Sequence, residues 1–214
     1  MEWKWGHLLG RACPHLKSLQ LSSLPMEPSF LLSLASCKQL THLELSADVQ
    51  LAAAAARDIA MLQAAAPLLT SLSIRAEEHA PVLHALAPQL TKLQLWGKYD
   101  APDREAGVEA DWALPIVAAC SNLTTLELGL FLDEGWYDVA CKLPKLDNLA
   151  VFGSVDVGDA LQPAQPWESL KANLLSFNAV EHLPLAHIRQ LHVVTLHAHL
   201  GTLLEVASGA AALR

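Results

Sequence analysis

Leucine recurs along most of the chain in one short pattern, leucine-x-x-leucine-x-leucine. Six segments share this pattern, with Ile or Val at two of the last positions: Leu16-Leu19-Leu21, Leu40-Leu43-Leu45, Leu69-Leu72-Ile74, Leu90-Leu93-Leu95, Leu123-Leu126-Leu128 and Leu146-Leu149-Val151. A further segment, Ile188-Leu191-Val193, fits as well, and we interpret Leu170-Asn173-Leu175 as a degenerate seventh repeat before it. Apolar residues at every second position are typical of a strand with one buried face. The pattern therefore predicts eight short strands.

The spacing of these segments predicts a structural repeat. Their middle leucines follow one another at intervals of 24, 29, 21, 33 and 23 residues, at Leu19, Leu43, Leu72, Leu93, Leu126 and Leu149. Leucine-rich units of 20–29 residues each supply one strand, and successive strands stack in parallel, so that one buried position recurs in every layer. The interval of 33 residues predicts an insertion between Leu93 and Leu126.

The segments between the strands mostly predict helices: the first begins near a proline, the second is rich in alanine, and three shorter segments are further candidates. The predicted helices cover residues 28–36, 48–65, 81–86, 112–119 and 134–141. Residues 155–167 contain Gly158, Pro163 and Pro166 and predict a loop instead. We therefore expect the repeat to be distorted between residues 155 and 185.

An apolar residue lies three positions before the first leucine of each unit, and three times it is cysteine. On the segments Cys13–Leu21 and Cys120–Leu128, the chain resembles the leucine-rich-repeat superfamily, and within it the cysteine-containing subclass of F-box/leucine-rich-repeat proteins. The resemblance covers residues 11–195. It implies an α/β solenoid of eight repeats in a single domain over residues 1–214, with a curved parallel sheet on the concave side and helices and loops on the convex side.

A solenoid needs terminal caps with a polar outer face, and neither end of the chain has the sequence of such a cap. Residues 1–12 resemble the tail of a preceding helix, and residues 210–214 resemble the approach to another repeat. We expect the chain to be a fragment without clear N- and C-terminal caps. Contacts with ubiquitin-ligase components would then run through a segment outside this chain.

Charge and composition narrow the classes of partner. The net charge is −8 at neutral pH and the isoelectric point is about 5.6, so the basic footprint of a nucleic-acid or anionic-membrane binder is missing. The longest apolar run near the N-terminus, residues 51–66, is interrupted by Arg57-Asp58, which argues against a membrane span. The first residues show no signal peptide. We expect a cytoplasmic protein with reduced thiols, and ciliary or cytoskeletal association is a more specific hypothesis.

Residues that commonly carry chemistry do not form a recognisable constellation. Histidine recurs every five residues from His182 to His197, and this spacing places the rings on no common helix face. The acidic residues between Asp100 and Asp111 lack the spacing of a calcium loop. No glycine-rich phosphate loop or Ser-His-Asp order is legible. We therefore expect no catalytic residues, no metal and no cofactor.

The repeat also predicts which side chains face the concave side, because these alternate with the buried leucines. The central column consists of Gln20, Glu44, Ser73, Gln94, Glu127, Ala150, Leu174 and His192, and the column before it holds Ala172 in the seventh repeat. Layers three to six gather a set that we call the Trp96 patch: Arg75, Lys92, Gln94, Trp96, Glu127 and Phe152. Tryptophan with arginine is the composition of a protein-binding hot spot. The alternative is that Trp96 and Phe152 fold under the following loops as core.

The favoured hypothesis is a non-catalytic protein-protein interaction module that binds a protein partner on its concave face. One form of this function is substrate recognition for an F-box-type ubiquitin ligase, and another is scaffolding in a ciliary or cytoskeletal assembly. The alternative class is a small-molecule-binding or enzymatic domain with a pocket near Trp96 and His42, which would require titratable groups that converge on one pocket.

Overall fold

A single open sheet of eight parallel strands organises the protein. The computed structural model describes residues 12–22, 25–26, 34–46, 50–51, 62–75, 79–96, 111–129, 134–155, 163–175 and 187–196. The strands of the main sheet, in spatial order, are β1 (Ser18–Leu21), β3 (His42–Leu45), β5 (Ser71–Ile74), β6 (Lys92–Trp96), β7 (Thr125–Gly129), β8 (Asn148–Val155), β9 (Trp167–Leu175) and β10 (Ile188–Leu196). A second, two-stranded parallel sheet consists of β2 (Pro25–Met26) and β4 (Gln50–Leu51).

The strand register places equivalent leucines side by side. One continuous column runs through the middle leucine of every unit: Leu19, Leu43, Leu72, Leu93, Leu126, Leu149, Leu170 and Leu191. The members from Leu43 to Leu170 are fully buried, at 0% exposure. Because strands run parallel about 4.8 Å apart, each of these side chains packs against its copy in the next layer. The predicted strands and the α/β class are confirmed, and the chain has a repeat-like architecture.

The seventh repeat lies in a different register from the prediction. Leu170 pairs with Leu149 and Leu191, so it is the middle leucine of its unit and not the first. Trp167, which is buried and pairs with Ile188, occupies the first position. The prediction was wrong because it sought a leucine where a tryptophan fills the same space. A register shift is present between Val151 and Ser154, just before residues 155–185, the range over which distortion was predicted.

The corrected register changes two predicted surface positions. Ala172, assigned to the concave side, is 2% exposed and belongs to the core. Lys171, not Leu174, pairs with Ala150 and His192 in the central column. Ser169 takes the place assigned to Ala172, between Asn148 and Gln190.

Short helices cover the leucine face of the sheet. The described helices are α1 (Leu62–Ala65), α2 (Ala80–Leu86), α3 (Leu114–Ala118) and α4 (Glu134–Lys142). Helix α2 buries Val82, Leu83 and Leu86, and its second residue is a proline, which suits the first turn of a helix. In α4 the buried side chains include Trp136 and Tyr137. The predicted helices over residues 81–86 and 134–141 are therefore confirmed.

The remaining predicted helices have mixed outcomes. Residues 112–119 form a 3-10 turn, Asp111–Ala113, that leads into α3. Gln50–Leu51 is a strand, although residues 48–65 were predicted to be helical, and only Leu62–Ala65 of that range is a described helix. Of residues 28–36, the 3-10 turn Leu34–Ser36 is described. The predicted chain ends, residues 1–11 and 197–214, and most of the insertion after Trp96 lie outside the described residues.

The turn before the strand has the same hydrogen bond in all three units with cysteine three positions before the first leucine. The backbone N–H of Leu16, Leu40 and Leu123 donates to the carbonyl oxygen of Cys13, Cys37 and Cys120 respectively, at 3.0–3.1 Å. All four cysteines are free thiols, and three of them, Cys37, Cys120 and Cys141, are buried. Within the described part of the chain, no helix has the length and apolar character of a membrane span.

Candidate functional site

The second face of the sheet carries the side chains that alternate with the buried leucines, and we call it the polar face. Its central column is Gln20, Glu44, Ser73, Gln94, Glu127, Ala150, Lys171 and His192. In β3, β6 and β7 the exposure alternates residue by residue between half-buried and buried. This alternation follows from the two-residue period of a strand. The candidate site is therefore built by register, one side chain from each repeat.

Trp96 is the centre of the site, and residues on or next to three other strands, β5, β7 and β8, contact its indole ring. Gly129 pairs directly with Trp96 across β6 and β7, and a methyl group built on Gly129 would collide with Cε3 of the ring. The indole Nε1–H donates to Ser73 Oγ at 3.2 Å. The Phe152 ring lies 5.0 Å from the indole at 34°, and the Arg75 guanidinium lies 5.4 Å from the ring centroid. These contacts fix the ring in one orientation.

Paired charges surround the indole. Lys92 Nζ lies 2.6 Å from Glu127 Oε1, and Gln94 donates a short hydrogen bond to the same carboxylate. Arg75 is also 3.6 Å from Glu44 Oε1, so one guanidinium contacts both a carboxylate and the indole face. Exposed pairs of this kind contribute about 0.2–1 kcal/mol each to stability. Their main effect is to hold the side chains in place.

The structure brings the whole Trp96 patch together, although the sequence spreads it over four repeats. Arg75, Trp96 and Phe152 form one aromatic cluster, and Lys92, Gln94 and Glu127 form one polar cluster beside it. Phe152 is 38% exposed and Trp96 is half-buried. Neither residue is among the buried core residues, and the loops that the alternative interpretation places over them lie outside the described part of the chain.

Three residues that sequence analysis did not single out complete the site. Glu44 pairs with Arg75, Ser73 accepts the indole hydrogen bond, and Gly129 leaves room for the ring. Each belongs to a column that the repeat predicts, one or two layers from a patch residue. The usable signal was a glycine at the position that pairs with an aromatic residue in the next layer. Serine and glutamate gave no signal alone, because they are ordinary on a polar face.

The groups with raised pKa values lie among the buried side chains. Burial raises the pKa of the Cys120 thiol to about 12 and that of the Cys141 thiol to about 11. Burial also raises the pKa of Tyr137, which has Cys141 beside it. Desolvation disfavours the charged form of each group, so thiolate chemistry is suppressed at these positions.

His42, which the alternative hypothesis places in one pocket with Trp96, lies two strands from it in the sheet. His42 hydrogen-bonds to Ser71 Oγ at 2.8 Å, and β5 separates its strand from the strand of Trp96. Among the described residues, no group of three or more His, Cys, Asp or Glu side chains could hold a metal ion. The acidic residues 100–110, and His182 and His197, lie outside the described part of the chain. The described arrangement is a preorganised surface.

Comparisons with known proteins add no relative. No protein-family model matches the chain, and no curated protein is significantly similar to it. The functional interpretation therefore depends on the polar face itself.

Proposed function

We propose that this chain is a non-catalytic protein-interaction module and that its partner binds the polar face around Trp96. The observation that carries the proposal is the cluster of Arg75, Trp96 and Phe152 near the middle of the sheet, on β6 and its near neighbours. Tryptophan and arginine are the residues most enriched in binding hot spots, which lie near the centre of an interface.

Preorganisation supports the proposal further. The indole is held by Ser73, Arg75 and Phe152, while Phe152 keeps 38% of its surface exposed. A partner that covers these rings would gain apolar burial of about 25 cal/mol per Å². It would lose little side-chain entropy, because the contacts already restrict the rotamers. A rigid aromatic platform of this kind favours recognition of another macromolecule.

The more specific proposals concern architecture and partner. We propose that the eight-stranded sheet is the concave side of a leucine-rich-repeat solenoid of the cysteine-containing subclass. In the F-box form of the function, the polar face recognises the substrate of a ubiquitin ligase, and ligase components bind elsewhere. In the scaffold form, the same face binds a ciliary or cytoskeletal protein. The two forms differ in the identity of the bound protein.

The test compares two double variants of the purified chain as baits in cell extract. Trp96→Ala with Arg75→Glu removes the ring and reverses the charge of the aromatic cluster. Leu68→Ala with Lys38→Glu makes matched changes at two exposed positions off the polar face. We expect proteins that the wild type and the control retain to be lost from the first variant. Each protein that the first variant loses is then purified and titrated with the wild-type chain and with both double variants by calorimetry.

Identical recovery by all three baits, with far-UV circular dichroism that shows each of them folded, would contradict the proposal. A ligase substrate or a cytoskeletal protein among the lost partners would decide between the two specific forms.

A further inference from the structure

An open groove lies on the polar face beside the Trp96 patch, across β8, β9 and β10. Its volume is about 480 Å³, within the range of ligand sites in proteins. The lining side chains that matter here come from two rows: Ala150, Lys171 and His192, and Phe152, Asn173 and Val194. Ala150 lies in the central column between Glu127 and Lys171, and its short side chain leaves the hollow between them.

One wall of the groove is apolar and exposed. Phe152 is 38% and Val194 is 81% exposed. The Phe152 ring packs against the ring of Trp96, with 5.0 Å between the ring centroids. Asn173 Nδ2 donates to the backbone carbonyl of Phe152 at 2.8 Å. This hydrogen bond joins β8 and β9 at the point where the register shifts. This wall fits an apolar side chain.

The floor of the groove holds the ammonium group of Lys171, with the ring of His192 beside it. Lys171 and His192 pair in register and are both exposed. Within the described residues neither forms an ion pair, whereas Lys92 and Arg75 on the same face each contact a carboxylate. Glu127 is two strands, roughly 10 Å, from Lys171, and Lys92 already compensates its charge. Among the described residues, no carboxylate therefore balances the charge of Lys171, on a chain whose net charge is −8.

We infer that this groove binds an extended, acidic peptide segment of the protein partner. A carboxylate of the segment contacts Lys171 and His192, and a neighbouring apolar side chain packs on Phe152 and Val194. Complementary charge fixes which segment binds and in which register, while the apolar wall supplies burial. The inference deepens the proposed function and rests on it, because it assigns the partner chemistry of the same face.

The test is selection from a random peptide library displayed on phage, with the wild-type chain as bait. We expect peptides in which Asp or Glu is adjacent to an aromatic or aliphatic residue. Lys171→Glu should bind the selected synthetic peptides about fivefold or more weakly by fluorescence polarisation, because it places like charges together. In a parallel selection it should enrich Lys or Arg at the acidic position. The matched control is Lys38→Glu, an exposed lysine in the turn before β3, which should leave affinity unchanged.

The outcomes separate this inference from the proposed function. Enriched peptides without an acidic preference, or binding that Lys171→Glu leaves intact, overturn the acidic-segment assignment and leave the interaction module standing. Peptides that bind the Trp96→Ala and Arg75→Glu double variant and the Lys171→Glu variant as tightly as they bind the wild type overturn both. A selection that enriches no peptide also counts against both.

Discussion

Substitution of Gly129 tests how the centre of the site is built, because the missing side chain of this glycine leaves room for the indole of Trp96. The Gly129→Ala variant adds one methyl group that meets Cε3 of Trp96 and lies 3.2 Å from Cδ2 and Cζ3 of the ring. The backbone of Gly129 is ordinary strand, which alanine adopts without strain. The three heavy atoms nearest to the added methyl group all belong to the indole, which must move.

The contacts of the indole set the cost of moving it. Its hydrogen bond to Ser73 contributes about 1 kcal/mol to folding stability. The contact with Arg75 contributes about 0.5–1 kcal/mol, and the contact with Phe152 about 0.5–1.5 kcal/mol. A shift that loses half of this total costs about 1.5 kcal/mol. Replacing glycine inside a strand returns about 0.5 kcal/mol. The net expected loss of folding free energy is about 1 kcal/mol.

A double-mutant cycle measures this coupling directly. Without the ring, in Trp96→Ala, the same Gly129→Ala change should stabilise the fold by about 0.5 kcal/mol, so the sign reverses. Urea unfolding of the four proteins is followed by far-UV circular dichroism, because the chain has six tryptophans and fluorescence would not isolate one. If Gly129→Ala has the same effect in both backgrounds, the described packing of Trp96 on Gly129 is wrong.

Three further predictions compare buried side chains with exposed ones. Leu93→Ala, at 0% exposure, should cost about 2–5 kcal/mol in urea unfolding, while Leu68→Ala, at 53% exposure, should change stability by less than about 0.5 kcal/mol; equal losses would refute the assignment of faces. At pH 8 a thiol reagent should modify exposed Cys13 in the native state and Cys120 only after unfolding. Burial raises the pKa of Cys120 from 9.0 to about 12, so the unfolded chain releases this proton first. The contribution of Cys120 to the free energy of unfolding is therefore present below pH 9 and is lost as the pH rises towards 12. In Cys120→Ala the free energy of unfolding should fall less steeply over this range. A fall as steep as that of the wild type would contradict this prediction.

Sequence alone predicted the strands because their signal is redundant. Each leucine unit has period two, and the units recur at intervals typical of stacked layers, so a single substitution such as Ile74 or Val151 leaves the pattern legible. The pattern failed at the seventh repeat, where Trp167 and Ala172 fill the space of two leucines. Volume can be shared differently between neighbouring side chains, and a search for one residue type cannot see that exchange.

The site was predictable as far as it depends on register. Arg75, Trp96 and Phe152 lie together because equivalent positions of neighbouring repeats are adjacent. The contributions of Ser73 and Gly129 depend on the direction in which the indole turns. That direction is set across strands and leaves no trace in the spacing of residues. The positive charge in the floor of the groove was missed because it depends on the corrected position of Lys171.

The central claim is that one leucine column passes through neighbouring parallel strands in the register described. Methyl-methyl nuclear Overhauser effects in a leucine-methyl-labelled sample measure it most directly. We expect cross-peaks between Leu43 and Leu72, Leu72 and Leu93, and Leu93 and Leu126, the pairs that lie side by side in the sheet. Cross-peaks that link these leucines to other partners, and none within the three pairs, would contradict the fold and the polar face with it.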